Sequence, residues 1–155
     1  ILWMLGDQID TVYGKAKTMS RDIPVEDTAA ALIQMKSGAM VIIEGATTAY
    51  PGFSSTFTIY GDMGTVSFDD QHIIAWEFID KENAPQRPDL GEAVGGAKNP
   101  IDIGIYGHIC LLRDIAEAVR DGRTPMLPPQ EAALAVKVIC GIYESSRQGK
   151  PVMIG

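Results

Sequence analysis

Residues 107–154 read GHICLLRDIAEAVRDGRTPMLPPQEAALAVKVICGIYESSRQGKPVMI. Two amphipathic helices and a short strand are written in this stretch. Over residues 106–120, His108, Leu111, Leu112, Ile115 and Val119 recur at helical spacing and share a face, while Arg113, Asp114, Glu117 and Arg120 lie mostly off it. Asp121-Gly122 ends that helix. Pro128 and Pro129 open a second one, with Glu131 in its first turn, where the helix dipole favours an anion. Its apolar stripe includes Leu134, Val138 and Ile142. Gly149 stops it, Pro151 prevents continuation, and Val152-Met153-Ile154 follows as a last strand.

Ahead of the helices the period changes to that of strands. Residues 11–17 hold Val12 and Tyr13, with Lys15 and Lys17 spaced by two. Residues 28–36 place Ala31, Ile33 and Met35 on one face. Ser37-Gly38 supplies a hairpin turn into residues 39–49, rich in Val and Ile. Residues 55–60 alternate Phe57 and Ile59 against Thr56, Thr58 and Tyr60. Gly61-Asp62-Met63-Gly64 turns the chain into residues 65–69, where Val66 and Phe68 fall on one side. Asp69-Asp70-Gln71 turns it again into residues 72–78. Links this short join only antiparallel neighbours. Several strands are apolar on both faces, so one face is expected to lie on helices and the other on a partner molecule. The fold class is therefore α+β: an open, mostly antiparallel β-sheet of about six or more strands, with two long helices packed on one face. Residues 1–155 are expected to form one domain. Residues 80–104 are a long loop, broken by Pro85, Pro88, Pro100, Gly91, Gly95, Gly96 and Gly104. Residues 1–6 are an apolar run ending in Gly6, too short for a stable helix and expected to be the tail of one that begins upstream.

Composition narrows the function classes. The net charge is −7, and no Lys/Arg cluster offers a nucleic acid its usual basic face. The same balance disfavours anionic membrane surfaces. No apolar run approaches the ~20 residues that span a bilayer. The first residues have neither a basic segment nor a small-residue cleavage site, so a cytoplasmic protein is expected. Cys110 and Cys140 both fall in helices without C-x-x-C spacing and are expected to be buried thiols.

What the motifs exclude is equally informative. A dinucleotide fingerprint needs glycines between a strand and a helix, where backbone can approach a pyrophosphate. Gly61 to Gly64 lies between two strands, and Gly91 to Gly96 follows none. There is no P-loop and no G-x-S-x-G elbow. His72 and His108 are the only histidines, with no cysteine pair near them, so no metal site is expected.

Leu2-Trp3-Met4-Leu5-Gly6-Asp7, Lys36-Ser37-Gly38-Ala39, Ile59-Tyr60-Gly61-Asp62-Met63-Gly64-Thr65-Val66, residues 115–125 and residues 132–152 stand in a distinctive order. Within the last, Ile142-Tyr143-Glu144-Ser145-Ser146 is followed by Gly149 and Val152. In this order and spacing the chain resembles, over nearly its whole length, the C-terminal domain of the glucose–fructose oxidoreductase, inositol dehydrogenase and rhizopine catabolism (Gfo/Idh/MocA) family. The resemblance implies a two-domain dehydrogenase. Its N-terminal nucleotide-binding domain binds NAD or NADP, and its substrate is a sugar, inositol or similar polyol held between the domains. The face of its sheet builds a homodimer or tetramer. In that family a Lys of a Glu-Lys-Pro segment and an Asp-x-x-x-His pair move the proton. Neither is in this chain, so no catalytic residue is expected here. The His is expected a few residues before Ile1, and neither catalysis nor cofactor binding is expected of this domain alone.

The resemblance also implies substrate contacts. His108 corresponds to a Tyr or His that faces the interdomain pocket; its alternative is a core histidine sharing the stripe of Leu112 and Ile115. Tyr106 is a second candidate against ordinary packing. Tyr50 and Phe53 flank Pro51-Gly52 where family loops border the sugar, or are exposed turn aromatics. Lys98 and Asn99 offer groups for substrate hydroxyls, or are loop residues in solvent. Trp3 is expected in the core and His72 in solvent. Asp69 and Asp70 are adjacent on a strand and point apart, so they make no acid–base pair. Glu44 is an oddity in an apolar strand: it is suited to pairing across a subunit interface or to facing the substrate, with an interface or solvent role expected. The alternative function is a noncatalytic ligand-binding or dimerisation module of the same fold.

Overall fold

A computed structural model describes residues 2–69, 72–89 and 105–154, with Trp3 described by its backbone only. The chain runs α1 (Leu2–Leu5), β1 (Ile9–Lys17), β2 (Thr28–Met35), β3 (Met40–Ala46), β4 (Phe57–Tyr60), β5 (Gly64–Phe68), β6 (Ile73–Phe78), α2 (Tyr106–Asp121), α3 (Pro129–Gln148) and β7 (Val152–Met153). Every strand pairing is antiparallel. The fold is α+β with two long helices, as the periodicity predicts. The strands form two sheets: one ordered β3-β2-β1-β7, the other β4-β5-β6. They belong to two compact units, Ile1–Thr48 with Glu117–Gly155, and Ala49–Ala116.

The first unit holds the core. In β2, alternate residues Ala31, Ile33 and Met35 turn inward. They meet Val12 of β1 and Val41 of β3, and Val138 and Ile142 join the same cluster from α3. Leu2 and Leu5 pack against its margin. Each fully buried side chain of this kind contributes roughly 1.5–3 kcal/mol. Gly149 ends α3 at φ 71°, a left-handed conformation that other residues adopt only at a cost, and its N–H caps the Ser145 carbonyl.

β7 pairs with β1 only at Thr11 and Val12. Beyond that point the open edge of β1 is closed by α3. Ser145 Oγ accepts the Gly14 N–H at 3.0 Å and donates to the Lys150 carbonyl at 2.7 Å. Ser146 Oγ takes the Ala16 N–H at 3.0 Å. Two hydroxyls thus do for this end of β1 what a longer β7 would do, satisfying edge groups that would otherwise stay unpaired. Asp27 organises the β1–β2 connection. Its carboxylate, 2% exposed, accepts the N–H groups of Met19, Ser20 and Arg21, each at 2.8 Å, and the Thr28 hydroxyl.

The second unit is a meander. Gly61 and Gly64 exchange backbone hydrogen bonds and close the β4–β5 hairpin. Phe57 and Phe68 stack with centroids 5.3 Å apart, and Trp76 meets Phe78 edge-on. The segment after β6 doubles back: Trp76 Nε1 donates to the Pro85 carbonyl and Arg87 Nη2 to the Ile73 carbonyl, both at 2.8 Å. Ser67 is the most covered residue of β5, ahead of its neighbours Val66 and Phe68, and its hydroxyl is satisfied there by that of Thr58 at 2.8 Å.

The thiols correct an expectation. Both are free, but Cys140 is exposed and Cys110 half-buried. Cys140 lies on the side of α3 turned away from Val138 and Ile142, which occupy the sheet-facing stripe.

Candidate functional site

Four of the six expected substrate-contact residues lie in the second unit, and Lys98 and Asn99 lie outside the described residues. Tyr50 and Phe53 flank the turn at Pro51-Gly52, where the Tyr50–Pro51 peptide is cis. Their rings are 91% and 71% exposed, so they are free to stack on a ligand. Tyr106 and His108 occupy the first turn of α2. His108 is exposed. Tyr106 is 64% exposed; its hydrogen bond with Cys110, one helical turn on, pushes the phenol above its ordinary range. Among the described residues no hydrogen bond or ring contact links the Tyr50–Phe53 pair to the Tyr106–His108 pair.

The stripe behind His108 is uncovered as well. Leu112 is 66% exposed and Val119 79%, while the covered positions of α2 are Cys110, Asp114, Glu117 and Ala118. Ala118 is the helix's one buried residue. Its short side chain permits the close approach that the longer apolar residues would block.

These groups supply aromatic faces, one imidazole and phenolic hydroxyls. They suit a polyhydroxylated ligand, which offers C–H faces to rings and hydroxyls to donors and acceptors. They do not suit a dinucleotide. The Gly61–Gly64 turn joins two strands, so it presents no helix N-terminus to a pyrophosphate. Among the described residues no three His, Cys, Asp or Glu side chains converge to hold a metal ion. His72 is exposed beside Asp69, its Nδ1 3.5 Å from the carboxylate, and Asp69 is occupied by the His72 N–H. Trp3's side chain and Asp70 lie outside the described residues.

Asp27 and the Ser145–Ser146 pair escaped the sequence reading as organising residues. A signal for Ser145 was present: it continues the stripe of Val138 and Ile142, where a polar residue has to find partners inside. Asp27 carried no comparable signal, since its acceptors' donors lie six to eight residues away in an irregular loop.

Comparison with known proteins agrees with this architecture. The family model described as the GFO/IDH/MocA C-terminal domain matches residues 1–67. No curated protein sequence matches the chain. Among solved structures, the WlbA dehydrogenase from Bordetella pertussis, in complex with NADH and UDP-GlcNAcA, is similar at 25% identity and a TM-score of 0.77, over 99% of this chain and 44% of that one. GenD2 from gentamicin A biosynthesis, in complex with NAD, gives 25% identity and a TM-score of 0.70, over 99% and 44%. An oxidoreductase from Agrobacterium radiobacter, in complex with NAD+, L-tartaric acid and magnesium, shares the fold at 19% identity and a TM-score of 0.79, over 99% and 45%. The chain thus spans less than half the length of the proteins it matches. Residues 1–67 thus match the GFO/IDH/MocA C-terminal domain, and the whole chain shares its fold with part of these larger proteins.

Proposed function

We propose that this chain is the substrate-binding and oligomerisation domain of a cytoplasmic NAD(P)-dependent oxidoreductase acting on a sugar, inositol or similar polyol. The observation that carries the substrate half is the exposed set of His108, Tyr106, Tyr50 and Phe53, whose chemistry suits hydroxyls and sugar faces. The similar WlbA dehydrogenase, solved with NADH and UDP-GlcNAcA, supports both the cofactor class and a sugar-like ligand. Lys98 and Asn99 are proposed as further contacts to substrate hydroxyls. The nicotinamide and the proton-transferring groups come from a nucleotide-binding domain outside this chain, and this domain alone turns nothing over.

The oligomerisation half rests on the face of the four-stranded sheet opposite α3. Tyr13 and Leu32 are each 42% exposed, Met40 70%, Ile42 80% and Met153 80%. A contiguous apolar face of this kind, on one side of a packed sheet, marks an interaction surface.

The test is turnover by the full-length enzyme with NAD+ or NADP+ against a panel of sugars, polyols and nucleotide sugars, read as absorbance of the reduced nicotinamide. Turnover of one class, weakened by His108→Ala, is the expected result. Ligand binding without turnover supports the noncatalytic alternative, and binding of no member of the panel sinks the substrate reading. Light scattering that finds only monomers at high concentration sinks the oligomer.

A further inference from the structure

The apolar sheet face carries a charge arrangement that singles out one way for two copies to meet. Antiparallel register lays the outward residues in rows across β1, β2 and β3: Thr11, Gln34 and Met40; Tyr13, Leu32 and Ile42; Lys15, Ala30 and Glu44. Lys17 begins the next row. Glu44 and Lys15 are therefore two strands apart, about 10 Å, on opposite flanks of the same face. Both are exposed, as is Lys17, and no ion pair holds Glu44 among the described residues. Among the described residues Lys15 donates to the Ser146 carbonyl, at 3.3 Å and in solvent. A carboxylate covered by a second apolar face with no cation beside it would be strongly destabilising.

Resting on the self-association reading above, we propose that the interface is a two-fold pairing of this sheet with its copy, the axis running along β2, and that Glu44 of each copy is held between Lys15 and Lys17 of the other. The charges select this axis by elimination. An axis along β1 sets Lys15 against Lys15, and one along β3 sets Glu44 against Glu44. An axis across the strands through the Leu32 row sets Lys15 over Thr11 and Glu44 over Met40, leaving both unpaired. An axis across the strands through the Ala30 row again opposes like charges. Only the axis along β2 matches Lys15 to Glu44 twice, while laying Leu32 on Leu32 and Tyr13 on Ile42. Packed sheets stand about 10 Å apart with strands nearly aligned, a gap that one lysine and one glutamate side chain span together. The pairing is isologous, as closed dimers require.

The experiment is a charge exchange followed by light scattering. Glu44→Lys alone, and Lys15→Glu with Lys17→Glu alone, each face their own copies with like charge and are expected to self-associate at least about tenfold more weakly than the unaltered chain. An equimolar mixture of the two restores opposite charge at both contacts and is expected to recover the dimer. Glu44→Gln, which introduces no repulsion, is expected to reduce the salt sensitivity of the wild-type dimer. Variants that associate as the wild type does, a mixture that recovers nothing, or a Glu44→Gln dimer with unchanged salt sensitivity would overturn this register while leaving sheet-mediated association standing. A wild-type chain that stays monomeric at every concentration overturns both.

Discussion

Ser145 satisfies two backbone groups with one hydroxyl, the N–H of Gly14 and the carbonyl of Lys150. It is fully buried, as is Gly14, so the Gly14 N–H cannot turn to water when the hydroxyl is removed. Ser145→Ala is therefore expected to cost about 1–3 kcal/mol in denaturant unfolding. Ser146→Ala, at a partly covered position, is expected to cost less. A Ser145→Ala variant as stable as the wild type would show that β1 does not depend on this closure. Asp27 has the opposite chemistry, a charge that accepts. The N–H groups of Ser20, Arg21 and Met19, in that order, hold its carboxyl far below the ordinary value of 3.8. A carboxylate depressed in the folded state stabilises fully above its unfolded pKa. That contribution is lost as pH falls toward the folded value. Acid unfolding should show it: the wild type is expected to lose stability below about pH 4, while Asp27→Asn starts less stable at neutral pH and falls less steeply. Parallel curves would remove Asp27 from the acid response.

At the scale of elements, α2 and α3 differ in a way their sequences half disclose. The stripe of α3 predicts its buried face through Val138 and Ile142, because a helix on a sheet buries what repeats at its own period. In α2 the period predicts the helix, but not which side is covered. Burial there follows Ala118 and the half-covered Asp114 and Glu117, leaving Leu112 and Val119 outside. Periodicity reports that an apolar face exists, not what covers it. The strands were legible for a local reason, since alternation and two-residue turns are written in neighbouring residues. Their division into two sheets was not, because pairing partners are set by distant contacts. Of the candidate site only the chemistry was legible: His108 and Tyr106 fall at the start of α2, while their exposure is a tertiary property. His108→Ala is accordingly expected to weaken sugar or polyol binding by the full-length enzyme about tenfold, the cost of one lost hydrogen bond to ligand, with unchanged unfolding. Gly64→Ala should do the reverse. A Cβ there would lie 2.2 Å from the Glu77 carbonyl oxygen, so the β5–β6 pairing must distort. Unfolding of that sheet at unchanged temperature in Gly64→Ala would contradict this geometry.

For the whole molecule, the distribution of buried residues sets the order of stability. All members of the main buried cluster, from Ile9 to Ile142, belong to the unit of β1, β2, β3, β7 and α3. In the β4–β5–β6 sheet, Ile73 and Ser67 are the buried residues among those described, and the aromatic rings of Phe57, Phe68, Trp76 and Phe78 stay half-covered. Local opening free energy follows the apolar surface a segment loses from water, so the two sheets are not expected to open together. Native-state hydrogen exchange tests this amide by amide. The paired amides of β1 and β2 should exchange slowest, at rates approaching those of global unfolding. The paired amides of β5, central in its own sheet, should exchange at least about tenfold faster through sub-global opening. The comparison is fairest between β2 and β5, each paired with a strand on both sides along its length, so hydrogen-bond count cannot account for a difference. If β5 is as protected as β1, the second sheet draws stability from contacts beyond its own residues, and the single core would no longer set the order of unfolding.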